Sequence, residues 1–288
     1  MLSHIEKAMN APDSASTHTP LDLRLDGRVA VVTGAAGGIA RGIVERLARL
    51  GADLVLLDIN DAGLAALPPW LSAQGRRVLA MHCDVSDPNA VGAAADRVAR
   101  EFDGCDLLVN NAGVLPAASS IERQSVQAWD DSMAVNVRGV FLCTQQFGQF
   151  MLQRHAGSIV NIASIGAQTP NASPPYAAAK AAVIAFTRQT AVEWGPRGVR
   201  ANSVSPGFVR TPLSEHMYAT TNMAQVRSAM VPARRLGMPA DIAGVVAFLL
   251  SDAAAYVNGQ DLQVDGGFMQ TTLMHAQLPE QQYGGAAR

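Results

Sequence analysis

Residues 29–40 read Val-Ala-Val-Val-Thr-Gly-Ala-Ala-Gly-Gly-Ile-Ala, and the reading of the whole chain starts there. Val29 to Val32 is a short, fully apolar run, the pattern of a parallel strand buried on both faces. A glycine-rich turn follows, and then Ile39, Ile43, Leu47 and Leu50 fall on one face of a helix. Strand, glycine turn and helix in that order present free backbone N–H groups and a positive helix end to a phosphate. Gly34 permits the tight turn, and Gly38 lets backbone approach a pyrophosphate closely. An ordinary strand-to-helix turn shares part of this pattern, but the flanking elements favour a nucleotide.

Outward from that unit, strand and helix alternate. Asp53 to Asp58 is a second strand ending in an acid, and Asp58 lies 20 residues beyond Gly38. A carboxylate there suits the ribose hydroxyls of a dinucleotide, although it also suits a cap. No Arg or Lys follows Asp58 directly, and Gly37 precedes Gly38, so a 2′-phosphate would meet an acid and no cation. NAD is therefore expected over NADP. The 62–74 stretch is an uncertain helix, interrupted by Pro68-Pro69. Val78 to Cys83 reads as a third strand running into Asp84-Val85. A helix near 89–102 leads to a fourth strand, Leu107 to Val109, closed by Asn110-Asn111-Ala112-Gly113.

A long helical pattern then covers 126–152 and contains Asn136, which is costly inside an apolar helix unless hydrogen-bonded. Ser158 to Ala163 forms a fifth strand that delivers Ser164, and a helix from Tyr176 to Trp194 follows. Tyr176 and Lys180 are four apart and share a face of that helix. A cation beside a phenol lowers its pKa and would make it a base, with Ser164 donating a hydrogen bond to a substrate oxygen. Alone, the pair is better read as a helix-start aromatic and a solvated charge, so its reading depends on what surrounds it. Val199 to Ser205 is a sixth strand, ending at Pro206-Gly207, and Leu262 to Val264 a last one after a helix at 241–250. The chain is thus read as one α/β domain over residues 25–270, a doubly wound parallel sheet of about seven strands with helices on both faces. Its sites are expected at the carboxyl ends of the strands.

Composition narrows the function. Of 288 residues, 49% are hydrophobic and 16% charged, and the net charge is −2, which offers no basic patch for nucleic acid. Three cysteines without paired spacing suit free thiols in a reducing compartment, and argue against a zinc site. There is no apolar leader at the N-terminus and no apolar run long enough for a bilayer. A cytoplasmic protein without membrane or nucleic-acid partners is expected.

The ordered set TGAAGGIA at 33–40, NNAG at 110–113, Ser164, YAAAK at 176–180 and PGFVRT at 206–211 resembles the short-chain dehydrogenase/reductase family over nearly all of residues 25–268. The resemblance implies a Rossmann-type fold and a hydride transfer between a nicotinamide cofactor and an alcohol or its ketone. It implies a catalytic set of Asn136, Ser164, Tyr176 and Lys180. Tyr176 would take the alcohol proton, Lys180 would tune it and bind ribose hydroxyls, and Asn136 would hold a proton-relaying water. The cofactor would lie on Gly34, Gly37, Gly38, Ile39, Asp58, Asp84, Val85, Asn111, Ala112, Gly113, Tyr176, Lys180, Pro206, Gly207, Val209 and Thr211. A homotetramer held by the helices near 126–152 and 176–194 and by the last strand is also implied. Ala40 departs from the family by standing where a third glycine is usual, for which a small adjustment is expected.

Three segments carry looser expectations. Residues 1–24 read as a flexible arm, and 271–288 as an extension that would cover a neighbouring cleft. Residues 208–238 show little periodicity and read as a substrate lid. Ser164, Gln168, Tyr176 and Met217, with 171–175, are expected to line the pocket. A neutral secondary alcohol or polyol is favoured as substrate, since no anion clamp is obvious, although Arg210 and Arg227 could form one. A 3-oxoacyl or other ketone reductase is the alternative, and a dinucleotide-binding protein without catalysis a remoter one.

Overall fold

The computed structural model describes residues 22–67, 71 and 75–271. The arm at 1–24 lies almost wholly outside them, and so do Pro68-Pro69 and the extension after Thr271. The strands are β1 (Val29–Thr33), β2 (Asp53–Asp58), β3 (Val78–His82), β4 (Leu107–Asn110), β5 (Gly157–Ile162), β6 (Val199–Pro206) and β7 (Asp261–Val264). They form one sheet in the order β3-β2-β1-β4-β5-β6-β7, every neighbouring pair parallel. The order reverses between β1 and β4, which opens a crevice at their carboxyl ends.

The helices are α1 (Gly38–Arg49), α2 (Asp61–Ala65), α3 (Pro88–Phe102), α4 (Val126–Met133), α5 (Gly139–Arg154), α6 (Pro174–Trp194), α7 (Pro212–Thr220), α8 (Met223–Met230) and α9 (Pro239–Leu250). Parallel strands need covering on both faces, and two apolar layers provide it. On one face Ile43 and Leu47 of α1 pack with Val246 and Leu250 of α9 against Val32 and Leu54. On the other, Val91 and Val98 of α3 and Phe147 and Met151 of α5 pack against Val31 and Leu108. Ala40 is fully buried in the first layer, so the methyl in place of a third glycine is absorbed as core.

One expectation about helices is corrected. The single helix expected over 126–152 is divided by a π turn, Ala134–Arg138, in which the Gly139 N–H reaches back to the Ala134 carbonyl. Asn136 sits in that turn, so the wider winding falls at a buried polar residue that must be satisfied there. The 208–238 stretch is mostly helical. Thr211 caps α7 through a capping box with Ser214, and Val209 bridges to Gly237, which closes the base of the α7–α8 excursion. Low amphipathicity hid these short helices, whose formation rests on caps and on tertiary contact.

Candidate active site

At the end of β1 the chain turns at Gly34, whose φ of +62° is left-handed and whose Cβ, if present, would lie 2.7 Å from the Ala112 Cα. Only glycine meets both demands. Thr33 locks this turn to the end of β4. Its hydroxyl accepts from the N–H groups of Asn111 and Ala112 at 3.0 Å each, while the Asn111 amide donates to the Thr33 and Gly34 carbonyls. No sequence pattern signals that role for Thr33. Gly37 places no side chain over the start of α1, so the first N–H groups of that helix are left uncapped.

Asp58, at the end of β2, accepts from Ala36 N–H with one oxygen and from Asn60 N–H with the other, each at 2.9 Å. The carboxylate is therefore held in place with lone pairs to spare. Together with Gly34, Gly37, Asp84, Val85, Asn111, Ala112 and Gly113 it lines a cavity of about 240 Å³. A glycine cradle, an uncapped helix start and a fixed carboxylate are the donor and acceptor set that a dinucleotide requires, so the residues present fit a nicotinamide cofactor. Ile39 lies in the first turn of α1 with its side chain against the core.

A second cavity, of about 490 Å³, holds Ser164 and Tyr176. Ser164 leaves β5 in extended conformation and accepts from the Gly166 N–H at 3.1 Å. Tyr176 stands in the first turn of α6, which begins at Pro174 with prolines where no helical N–H is needed. Lys180, one turn on, is 4% exposed and donates to the Ile162 carbonyl at 2.7 Å. Its ammonium lies 5.7 Å from the Tyr176 ring centre and 3.4 Å from where a Gly113 Cβ would be. Gly113 lines the first cavity and Tyr176 the second, so Lys180 stands between the two.

Asn136 is fully buried and clamps Val114. Its amide donates to the Val114 carbonyl at 2.9 Å and to the Ser132 hydroxyl at 3.1 Å, while its oxygen accepts from the Val114 N–H at 3.2 Å. Asn110 does not face the cleft. It begins a buried polar spine, donating to Thr144 and to Asn161, which in turn donates to Thr187. That spine ties β4 and β5 to α5 and α6, and thereby the strand end that delivers Ser164 to the helix that carries Tyr176.

The electrostatics correct one expectation. Burial raises the Tyr176 phenol above its ordinary value, with a hydrogen bond from Ser164 pulling the other way. Burial also lowers Lys180, to about 8. In a dry cleft the phenolate and the ammonium are both penalised, and that outweighs the attraction that the four-residue spacing suggested.

Pocket lining is corrected as well. Gln168 turns away to β7, donating to Asp261 at 2.7 Å and accepting from Gln263, and does not reach the Tyr176 cavity. Asn171, Ala172 and Ser173 do line it, whereas Pro174 and Pro175 do not. Leu115, Phe208 and Phe268 also line it, which no sequence pattern indicated. The side chain of Met217 lies outside those described. Pro206 closes β6 against Val264, Gly207 lines the Tyr176 cavity, and Thr211 is engaged in capping α7. Arg210 is paired with Glu215 at 2.6 Å, while Arg227 lines the cavity. A larger recess, of about 740 Å³, opens beside Arg28, Gly157 and Arg200 at the amino ends of the strands, and holds none of these residues.

No helix among the described residues is long and apolar enough to cross a membrane, and no three of their His, Cys, Asp or Glu side chains group to hold a metal.

A family model described as enoyl-(acyl carrier protein) reductase matches residues 34–269. The D-threitol dehydrogenase of Mycolicibacterium smegmatis is 42% identical over 248 residues, covering 86% of this chain and 95% of that one. Among solved structures, a gluconate 5-dehydrogenase from Burkholderia cenocepacia in complex with NADP and tartrate superposes with a TM-score of 0.81 at 33% identity, over 87% of this chain and 98% of the other. An NAD⁺-bound xylitol dehydrogenase superposes with a TM-score of 0.80 at 31% identity, over 84% and 99%. With the parallel sheet, the glycine cradle and the Ser164, Tyr176 and Lys180 cluster, these likenesses show that the chain belongs to the short-chain dehydrogenase/reductase family, nicotinamide-dependent oxidoreductases acting on CH–OH groups.

Proposed function

We propose that the protein is an NAD-preferring dehydrogenase that interconverts a secondary alcohol or polyol with its ketone, using Tyr176 as general base. The observation that carries this reading is the position of Lys180, with Ser164 and Tyr176 on one side in the larger cavity and the glycine-lined cavity on the other. Bound NAD supplies the hydride acceptor. Ser164 donates to the substrate oxygen and orients it, and Tyr176 removes the hydroxyl proton as the C–H bond is broken. Lys180 holds ribose hydroxyls and shares the proton path. Asn136 fixes Val114 in the wall of the cofactor cavity, and its proposed role is to hold a water that relays protons to Lys180. In reduction, the same phenol donates the proton.

Asp58 supports the NAD preference. It lines the cofactor cavity with both oxygens held by hydrogen bonds, and no Lys or Arg among the described residues lines that cavity. Asp58→Ala is expected to narrow the ratio of kcat/KM with NAD to that with NADP on the order of 30-fold, because a charge-assisted ribose contact is lost and a repulsion removed. Initial rates with both cofactors measure it. An unchanged ratio would leave Asp58 as a loop clamp for Ala36 and nothing more. A 3-oxoacyl reductase using NADPH is the competing reading, and the acid at Asp58 weighs against it.

The proposal extends to a cytoplasmic homotetramer. Val126 and Trp129 of α4, Phe141 of α5 and Val192 of α6 are exposed, Val192 by 77%, on the helices that pair subunits in the family. Sedimentation velocity is expected to give four times the chain mass, with Phe141→Asp reducing it; a monomer at micromolar concentration would sink this extension. Cys83, Cys105 and Cys143 are buried free thiols, and burial holds Cys83 up to about 11, which suits a reducing compartment.

A further inference from the structure

The Tyr176 cavity has walls that are largely apolar, with Leu115, Pro116, Ile165, Phe208 and Phe268 among them, and one ionised side chain among the described residues lining it, Arg227. Arg227 comes from α8. Its guanidinium carbon sits 4.7 Å from the Phe208 ring centre and 5.6 Å from that of Tyr218. Phe208 is in turn held edge-on by Phe268, their ring centres 4.8 Å apart. The head of Arg227 is thus fixed between aromatic faces and is not a side chain free to swing into solvent.

It is also electrically uncompensated. Among the described residues Arg227 has no carboxylate partner, whereas Arg210, on the same excursion of chain, is neutralised by Glu215 through two short contacts. The one hydrogen bond of the Arg227 guanidinium there goes to the Tyr218 hydroxyl at 2.9 Å, out of the five N–H groups such a side chain carries. A structural strut for the buried Tyr218 hydroxyl would need only that one bond. It would not need a charged, forked head in a largely apolar cavity, where a cation without a counter-charge is disfavoured.

We propose that Arg227 is the anion-recognising residue of this site, and that the substrate is a hydroxy acid whose alcohol carbon lies at Tyr176 and whose carboxylate pairs with Arg227. This rests on the dehydrogenase reading above for the placement of the alcohol, and it adds a charge that the sequence alone did not favour. Guanidinium and carboxylate match as two parallel N–H···O contacts, and the low-dielectric walls strengthen the pairing. The reacting carbon and the anchoring anion are then held by different elements, α6 and α8. Orientation along the cavity follows from that separation.

The test uses the purified enzyme in complex with NADH, and two non-reacting probes of equal shape, cyclohexanecarboxylate and cyclohexanecarboxamide. Titration followed by NADH fluorescence is expected to show the carboxylate binding on the order of 30-fold more tightly than the amide. Arg227→Met is expected to abolish that preference, Arg227→Lys to keep part of it, and Arg210→Met to leave it intact. Loss of the Tyr218 contact alone weakens both probes equally, so the ratio isolates recognition of charge. Equal binding of the two probes by the wild type, no binding of either, or a preference that survives Arg227→Met would each overturn the assignment. Turnover is scored separately with 4-hydroxycyclohexanecarboxylate and its amide. A carboxylate preference in binding without oxidation of any hydroxy acid or neutral alcohol leaves the anion subsite standing and removes the dehydrogenase reading. Oxidation of neutral alcohols with no carboxylate preference does the reverse.

Discussion

Tyr176→Phe is expected to lower kcat for alcohol oxidation by about 1000-fold or more while the affinity for NADH stays within a factor of about three. The substitution removes one oxygen and leaves the ring, so the packing at the start of α6 and the Lys180 contact with the Ile162 carbonyl persist. What disappears is the group that takes the proton. The pH dependence sharpens this. Oxidation needs the deprotonated phenol, and burial raises the Tyr176 pKa, so the oxidation rate should climb with pH into the alkaline range. Reduction needs the protonated phenol and should fall along the same limb. The Ser164 hydrogen bond is the contribution that lowers the phenol, so Ser164→Ala should move the limb to still higher pH as well as slow turnover. Rate profiles in both directions, with NADH binding by fluorescence, make the measurement. A phenylalanine variant keeping a tenth of the wild-type rate would remove Tyr176 from the role of base, and a flat oxidation profile would remove the phenol from the rate-limiting proton transfer.

How much of this was legible in the chain depends on the kind of information involved. Val29 to Val32, Leu54 to Leu57 and Leu107 to Val109 are strands buried on both faces, and such strands announce themselves as unbroken apolar runs. The glycine turn was legible because a left-handed φ and a backbone approach of 2.7 Å admit no other residue at Gly34. Spacing also placed Tyr176 and Lys180 on one face. It could not show how far water is excluded around them, and therefore mistook the direction in which the phenol is shifted. Gln168 was misplaced for a related reason: it follows Ser164 closely in sequence, but the 3₁₀ turn between them, Ile165–Ala167, aims it at Asp261 of β7. The π turn at Ala134–Arg138 leaves the apolar spacing of α4 and α5 almost unchanged, so only the buried Asn136 hinted at it. Arg210 and Arg227 look alike in sequence. The contact of one with Glu215 and of the other with Phe208 separates them, and both contacts depend on how α7 and α8 fold back.

Lys180→Met is expected to abolish most turnover and yet to stabilise the cofactor-free protein at neutral pH. The ammonium is buried with a single carbonyl as its hydrogen-bond partner among the described residues, and burial brings its pKa from 10.5 to about 8. A group whose pKa is lower folded than unfolded binds fewer protons in the native state over the interval between the two values. Stability contributed by that group is therefore present above the unfolded value and lost as pH falls through the folded one. The difference corresponds to roughly 3 kcal/mol against the folded state below pH 8. Methionine fills a similar volume without charge, leaves the Ile162 carbonyl unpaired at a cost of about 1 kcal/mol, and so should gain about 2 kcal/mol at pH 7. Denaturant unfolding at pH 7 and again near pH 10.5 checks both sign and cause, because the gain should shrink as the unfolded lysine also loses its proton. A variant less stable than wild type at pH 7 would mean that the ammonium is well solvated where it sits. A gain independent of pH would trace the effect to packing instead. With saturating NADH the order should reverse, since the ribose hydroxyls then supply the partners that the folded chain alone withholds from Lys180. The site carries this strain in its unliganded form because a lysine already satisfied by protein groups would have little left to offer the cofactor.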